Sequence, residues 1–422
     1  MNKSVRNIII RIIIMLILSA AVVLVGFVFR PKKAETEEKT IVEGHDLILW
    51  YYDDDMKDFA EQIKADYFKT SGLRVECKKV SAVSFFDNIN RFNISGGEAP
   101  DLYISETTKL EQAYLGSTAK VNTDTDTYSL KNYSRNSLAS VMYEGKMVGY
   151  PLCFNTAFFV YNPDMVEKAP KTFMEIEEMS TSFIKDTDSD VDMIMLFDVS
   201  NLLDNYLFIG NYLDLGGDNG DDRMSFDVYN ENLIEAAFRY RELSSNLKID
   251  FSTTTYDLVE NSFAFGRCKM ALLNCSSLSL LNELNVPYVV TEFPKLTDSL
   301  GTKGLSNFWC VCVNPMSEHV EEAENLAKFM TYDEAGVVYG NTGYMSCLRS
   351  VNTGKGFKSV YKQYEITASL PKLIETENLW KDLKVMLNQI WIGGDVAAEL
   401  DSFQTKVNNS LSSVNGIKNN FQ

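Results

Sequence analysis

From His45 onward, hydrophobic and polar positions fall into short apolar runs separated by helical stripes. Leu47-Ile48-Leu49-Trp50-Tyr51-Tyr52 is an apolar run that ends in Asp53-Asp54-Asp55, which predicts a buried strand opening into a polar loop. Phe59, Ile63, Tyr67 and Phe68 then recur at helical spacing, and Gly72 closes the stripe with the residue best suited to a left-handed cap. Leu73 to Cys77 alternates as a strand. Phe85 to Ile94 predicts a second amphipathic helix ended by Gly96-Gly97, and Asp101-Leu102-Tyr103-Ile104 another buried strand. Strand, helix, strand, helix, strand is the order of an open α/β sheet with right-handed crossovers, which gathers its loops and ligand contacts at the strands' carboxyl ends. Asp53, Asp54 and Ser105 stand at that edge.

Gly145-Lys146-Met147-Val148-Gly149-Tyr150-Pro151 reads as a turn leading into the β-rich run Ala157 to Tyr161. Thr172-Phe173-Met174-Glu175 has the form of a capping box opening a helix. Gly216, Gly217 and Gly220 bracket the acidic turn Asp218 to Asp222, whose spacing does not match a calcium loop of the EF-hand type and predicts a solvated hairpin turn instead. Asn230 to Leu243 is amphipathic; Ala271 to Leu273, Val286 to Val290 and Phe308 to Val313 are strand-like. After Ser317 the chain is mostly helical, with Val320, Ala323, Leu326, Ala327 and Met330 on one face.

Composition sharpens this outline. A chain of 422 residues with 45% apolar content exceeds what one compact core usually holds, so two lobes are expected. The net charge of −18 understates the acidity of the body, because the only charges in the first 33 residues are six cations. Without them, 34 basic residues face 58 acidic ones, a balance of −24. Such a surface repels phosphate backbones, so nucleic acid is excluded as a partner. Ile12 to Phe29 is an uncharged run of eighteen residues, just long enough to cross a bilayer. It ends in Phe29-Arg30-Pro31 rather than a small-residue cleavage site, and no cysteine follows to carry a lipid. An uncleaved signal anchor over residues 1–33 and a polar stalk over 34–45 are therefore expected, with the body on the extracellular face of the plasma membrane. The seven cysteines are an odd number spread thinly, and most lie among apolar neighbours as small buried hydrophobes. With no Cys-x-x-Cys pair and only two distant histidines, no metal site is expected.

Five segments in register carry a family resemblance: Gly145 to Pro151; Tyr161-Asn162-Pro163-Asp164-Met165; Ala169-Pro170-Lys171-Thr172-Phe173-Met174-Glu175-Ile176; Phe265-Gly266-Arg267-Cys268-Lys269-Met270-Ala271; and Asn341-Thr342-Gly343-Tyr344-Met345. From about Leu47 to Leu411 the chain resembles the maltose-binding-protein-like extracellular solute-binding proteins of ABC importers. The resemblance implies an α/β, two-lobed periplasmic-binding fold of maltose-binding type with three interlobe crossovers. These would fall near Phe154-Asn155, near Val289 to Phe293 and near Thr331 to Glu334. Lobe one would comprise residues 46–153 and 294–331, and lobe two residues 155–289 and 335–422. A ligand would sit between the lobes, and closure around it would present a surface to the permease.

The resemblance also nominates contacts. Tyr51 and Tyr52 alternate faces, so one of them, taken as Tyr52, points to the cleft. Asp53 and Asp54 match the family's polar first-loop contacts, with helix capping as the competing role. Trp380 matches a second-lobe aromatic platform, and Trp309 is a core-strand residue that could turn a face to the cleft. Three positions depart from the sugar-binding pattern. Ser105 and Ser277 stand where members often carry tryptophan platforms, and Asn155 replaces a carboxylate at the first crossover. Losing two platforms weakens the case for an oligosaccharide without excluding one. The function implied is binding of a small polar, carbohydrate-like solute for an ABC permease, by a monomer without cofactor. A receptor that reports the same ligand to a membrane kinase is the competing role. The absence of Gly-x-Ser-x-Gly, of a P-loop and of a His-rich metal motif argues against an enzyme.

Overall fold

The apolar runs become the strands of one sheet because most of them are apolar on both faces and need cover on both. The computed structural model describes the backbone of residues 45–185 and 190–419, and side chains as far as residue 412. The expected anchor and the stalk up to residue 44 lie outside the described residues. In chain order the strands are β1 (Leu47–Tyr51), β2 (Val75–Lys79), β3 (Leu102–Glu106), a short hairpin of β4 (Met142–Tyr143) and β5 (Lys146–Met147), and β6 (Tyr150–Tyr161). There follow β7 (Met193–Leu196), a second hairpin of β8 (Asp214–Leu215) and β9 (Phe226–Asp227), then β10 (Cys268–Asn274), β11 (Val289–Thr291), β12 (Leu305–Val313), β13 (Met345–Ser346) and β14 (Ala368–Ser369).

The main sheet has the order β2-β1-β3-β12-β6-β10-β7. β1 pairs in parallel with β2 and β3, as the strand-helix-strand pattern predicts. β6 joins the two ends of the sheet. Its residues Tyr150 to Thr156 pair with β12, whereas Ala157 to Tyr161 pair with β10, and β11 adds to the same stretch. A single strand buried at every position except Asn155 and Tyr161 thus serves two halves, one built on β1–β3 and one on β7, β10 and β11.

Alternation along β1 divides the first half's packing. Leu47, Leu49 and Tyr51 join the main core under the helix Lys57–Ser71, while Ile48 and Trp50 face a second cluster with Phe85, Phe86, Ile89 and Tyr103. The helix Lys57–Ser71 ends at Gly72, whose φ of +77° and hydrogen bond to the Phe68 carbonyl form the expected left-handed cap. Thr172 caps the helix Phe173–Thr181 through its hydroxyl, and Glu175 reaches back to the Lys171 N–H, one residue earlier than a standard capping box. The short helix Val338–Thr342 touches both halves: Asn341 donates to Gln62, and the Tyr339 hydroxyl to the Cys275 carbonyl.

All seven cysteines are free and only Cys77 is not buried. The acidic turn sits in the β8–β9 hairpin, but it is docked rather than freely solvated: Asp221 accepts from the Glu144 N–H at 2.8 Å. Among the described residues no cluster of His, Cys, Asp and Glu could hold a metal ion, and no helix is long and apolar enough to cross a membrane.

Candidate ligand-binding cleft

The carboxyl edge of β1 and β3 forms one wall of a cleft. β1 runs into Tyr52, whose hydroxyl accepts the Glu106 N–H at 2.9 Å and lies 3.5 Å from the Ser105 hydroxyl. The Tyr52 ring meets Phe85 edge-on at 4.9 Å, so packing and hydrogen bonding lock it together, and burial raises its hydroxyl's pKa. Beside it opens a cavity of about 570 Å³ whose lining includes Tyr52, Phe86, Glu106, Lys109 and Trp380. A second chamber of about 260 Å³ brings in Asn201, Asn307, Phe308 and Lys384, and shares Glu106, Thr108, Leu370 and Trp380 with the first. The larger chamber lies within the usual range of small-molecule sites, roughly 300 to 1,000 Å³.

A second wall comes from residues 370–381. β14 pairs with the start of β12, and the segment after it supplies Leu370, Pro371 and Thr376 before the helix Leu379–Trp391 begins. That helix buries Leu379, Leu383, Met386 and Leu387, which leaves Trp380 off the apolar stripe and 42% exposed, with Lys381 Nζ 5.5 Å from its ring. Within the lining, Lys109 pairs with Glu377 at 2.6 Å, and this contact holds the Glu377 carboxyl below its ordinary pKa. Glu106, the last residue of β3, faces both chambers. Burial pushes its carboxyl upward, and the charge of Asp53 adds to the rise, against Lys109 and a 3.4 Å contact from the Thr108 hydroxyl. A half-satisfied carboxylate of this kind accepts hydrogen bonds from whatever fills the cavity.

The sequence profile of the bacterial extracellular solute-binding proteins matches residues 61–365. The chain belongs to this family. Among relatives of these solute-binding proteins, the maltodextrin-binding protein MdxE of Bacillus subtilis (strain 168) is 22% identical over 412 residues, covering 90% of this chain and 91% of that protein. A maltooligosaccharide ABC transporter solute-binding lipoprotein of Streptococcus pneumoniae (strain ATCC BAA-255 / R6) is also 22% identical, over 80% of this chain and 82% of its own length. The solved extracellular solute-binding protein of Staphylococcus aureus in complex with maltose superposes with a TM-score of 0.72 at 19% identity, covering 87% of this chain and 98% of that one. At that identity the likeness is one of fold, and the fold is the two-lobed maltose-binding type.

Within this solute-binding fold the nominated residues part company. Tyr52 and Trp380 both line the larger chamber. Ser105 is buried one residue behind Glu106, its hydroxyl donating to the Glu106 carbonyl at 3.2 Å. The other five are not among the residues lining the two chambers. Asp53 accepts the Asp55 N–H at 3.1 Å and so takes the capping role, its half-buried carboxyl raised by burial. Asp54 projects to the surface and pairs with Lys79. Asn155 accepts the Cys275 N–H at 3.3 Å and so ties β6 to the end of β10. Ser277, with no exposure, donates to Glu260 at 2.6 Å and lies 2.5 Å from the Tyr256 hydroxyl. Trp309 is 5% exposed and stacks on Tyr344 with centroids 4.4 Å apart.

Several cleft residues escape the sequence reading. Glu106 is the clearest, because the rule that ligands meet strand ends points to the Ser105-Glu106 pair and the serine is the one that turns inward. Asn201 and Asn307 carry no sequence signal that separates them from capping or edge-strand asparagines.

Proposed function

We propose that the cleft binds a malto-oligosaccharide-like solute and delivers it to an ABC permease. One observation carries this reading: Trp380, 42% exposed, lines both chambers together with planar hydrogen-bonding groups, Glu106 in both and Asn201 and Asn307 in the smaller. An aromatic face covers the apolar side of a pyranose ring, while carboxylate and amide groups take its hydroxyls. The two relatives named for maltodextrin and maltooligosaccharide support the same solute class, and the second, an ABC transporter solute-binding lipoprotein, supports import rather than signalling to a kinase. With serines at positions 105 and 277, only one aromatic platform remains, which favours a short oligomer over a long one. The solute contacts are Tyr52, Glu106, Asn307 and Trp380.

The same reading divides the body into a lobe of residues 46–153 and 294–331 and a lobe of residues 155–289 and 335–422, acting as a monomeric receptor rather than an enzyme. Residues 1–33 hold it on the extracellular face as an uncleaved anchor; an N-terminal peptide beyond residue 33 on the mature cell-surface protein would rule the anchor out. Calorimetry with maltotetraose tests the solute. A saturable heat, lost on Trp380→Ala, is the expected result; no heat with maltose, maltotetraose or a galacto-oligosaccharide would sink the carbohydrate reading.

A further inference from the structure

The wall that carries Trp380 has a built back. Along residues 370–377, Leu370, Pro371, Thr376 and Glu377 line the cavity, while Lys372 and the Glu375 side chain are almost fully buried and take no part in its lining. Lys372 Nζ donates to three carbonyls, those of Ala139 at 2.6 Å, Met142 at 2.8 Å and Asn219 at 2.5 Å. Glu375 accepts two bonds from Arg223, through Nε and, at 3.0 Å, through Nη2. Arg223 Nη2 also donates to Glu111, a carboxylate with no exposure. Glu111 in turn accepts the Tyr143 hydroxyl at 2.6 Å and, on its other oxygen, the Ile374 N–H at 2.6 Å.

These groups come from both halves of the sheet. Glu111 and Tyr143 lie between β3 and β6, with the half built on β1–β3. Arg223 and Asn219 lie in the β8–β9 hairpin, which follows β7 of the other half. The hairpin is pressed against the wall itself: the Gly220 carbonyl accepts the Lys372 N–H at 2.8 Å, and a Cβ on Gly220 would stand 3.1 Å from the Pro371 Cα. A planar guanidinium can serve two carboxylates at once, which an ammonium on a flexible stem cannot do with the same geometry. Leaving Glu111 buried without its cation would cost heavily, so the contact resists parting.

We infer that Arg223 is a positioning residue for solute binding. By joining Glu111 to Glu375 it holds the wall segment whose next turn presents Trp380, and parting the two halves must break it. Arg223 lines neither chamber, so it acts through that wall. The binding arm of the test rests on the oligosaccharide reading; a second arm needs no solute.

In the full chain, Arg223→Met should raise koff for maltotetraose about tenfold, followed by intrinsic tryptophan fluorescence in stopped flow, with kon changed less than about twofold. Arg223→Lys should recover part of the loss, and Glu375→Gln, a milder change that keeps the residue's size, should move koff in the same direction. By hydrogen exchange, the Ile374 amide should lose protection about tenfold in Arg223→Met while the β1 amides keep theirs. Unchanged koff together with unchanged Ile374 protection would overturn the inference. So would an equal loss of protection in β1, which would make Arg223 a residue of general stability. If the wild-type chain binds no maltotetraose, the oligosaccharide reading fails, and exchange at Ile374 still decides the clamp.

Discussion

The two walls of the cleft are held by different physics. The wall from β1 and β3 is fixed by a parallel strand ladder and by rings packed edge to face: Phe85 meets Trp50, Tyr52, Phe86 and Tyr103 with centroids 4.9 to 6.1 Å apart. The wall of residues 370–381 follows the two-residue strand β14 and has a 3-10 turn before the helix that begins at Leu379, and it is held by the buried charges Lys372, Glu375 and Glu111 with the half-buried Arg223. Apolar packing is non-directional and tolerant, whereas a buried ionic group is expensive to leave unpaired and specifies one arrangement. The first wall is therefore a fixed edge of the fold, and the second is a part that must be placed.

If that contrast is right, the largest effect falls on stability and in the first wall. Phe85→Ala removes a side chain 1% exposed from the ring cluster and should cost about 3 to 5 kcal/mol in chemical denaturation. A loss under about 1 kcal/mol would mean that the cluster does not brace this wall.

Trp380→Ala should do the reverse. The ring is 42% exposed, so unfolding should be little changed, while affinity for maltotetraose should fall roughly 30-fold, as for a stacked aromatic anchor. Unfolding of the variant, or unchanged calorimetric affinity, would return Trp380 to the core and remove the platform from the site.

Lys372 sharpens the comparison through pH. Burial lowers its amine from the ordinary 10.5 to about 7, opposed by Asp221 and, more weakly, by Cys310, while three carbonyls accept from it. Between pH 7 and 10.5 the unfolded chain keeps this proton and the folded chain releases it. Stability therefore rises with pH above about 7, by up to about 1.4 kcal/mol per unit for one proton. Lys372→Met should flatten the difference in unfolding free energy measured from pH 6.5 to 9. Parallel profiles for wild type and variant would show that the three carbonyls keep the amine charged throughout.

The smallest effect is expected at the surface. Asp54 has a side chain 77% exposed and pairs with Lys79, so Asp54→Asn should change stability by less than about 0.5 kcal/mol and affinity by less than about twofold. A tenfold loss of affinity would restore Asp54 as a solute contact and move the site along the strand edge.

Much of the fold was legible because the sheet's strands are signalled locally. The runs Leu47 to Tyr52 and Phe308 to Val313 are apolar on both faces, and Gly72 and Thr172 mark helix ends through their own chemistry. The place of Trp380 off its helix's apolar stripe was legible, because Leu379, Leu383, Met386 and Leu387 supply that stripe. Asp53 and Ser105 were placed at the right edge, yet their side chains turn to the Asp55 N–H and the Glu106 carbonyl, because a short polar side chain at a strand end has local partners as good as any ligand.

What the sequence determined by itself is the ladder of strands, the caps and the family, since each rests on periodicity and on residues near one another in the chain. What only the tertiary structure decided is which polar groups share a cavity and which charges meet. Glu111 and Glu375 are 264 residues apart and reach one guanidinium only after the β8–β9 hairpin folds over the wall. A charge written in the sequence carries no mark of its partner; pairing becomes compulsory only when folding removes the water that would otherwise have served it.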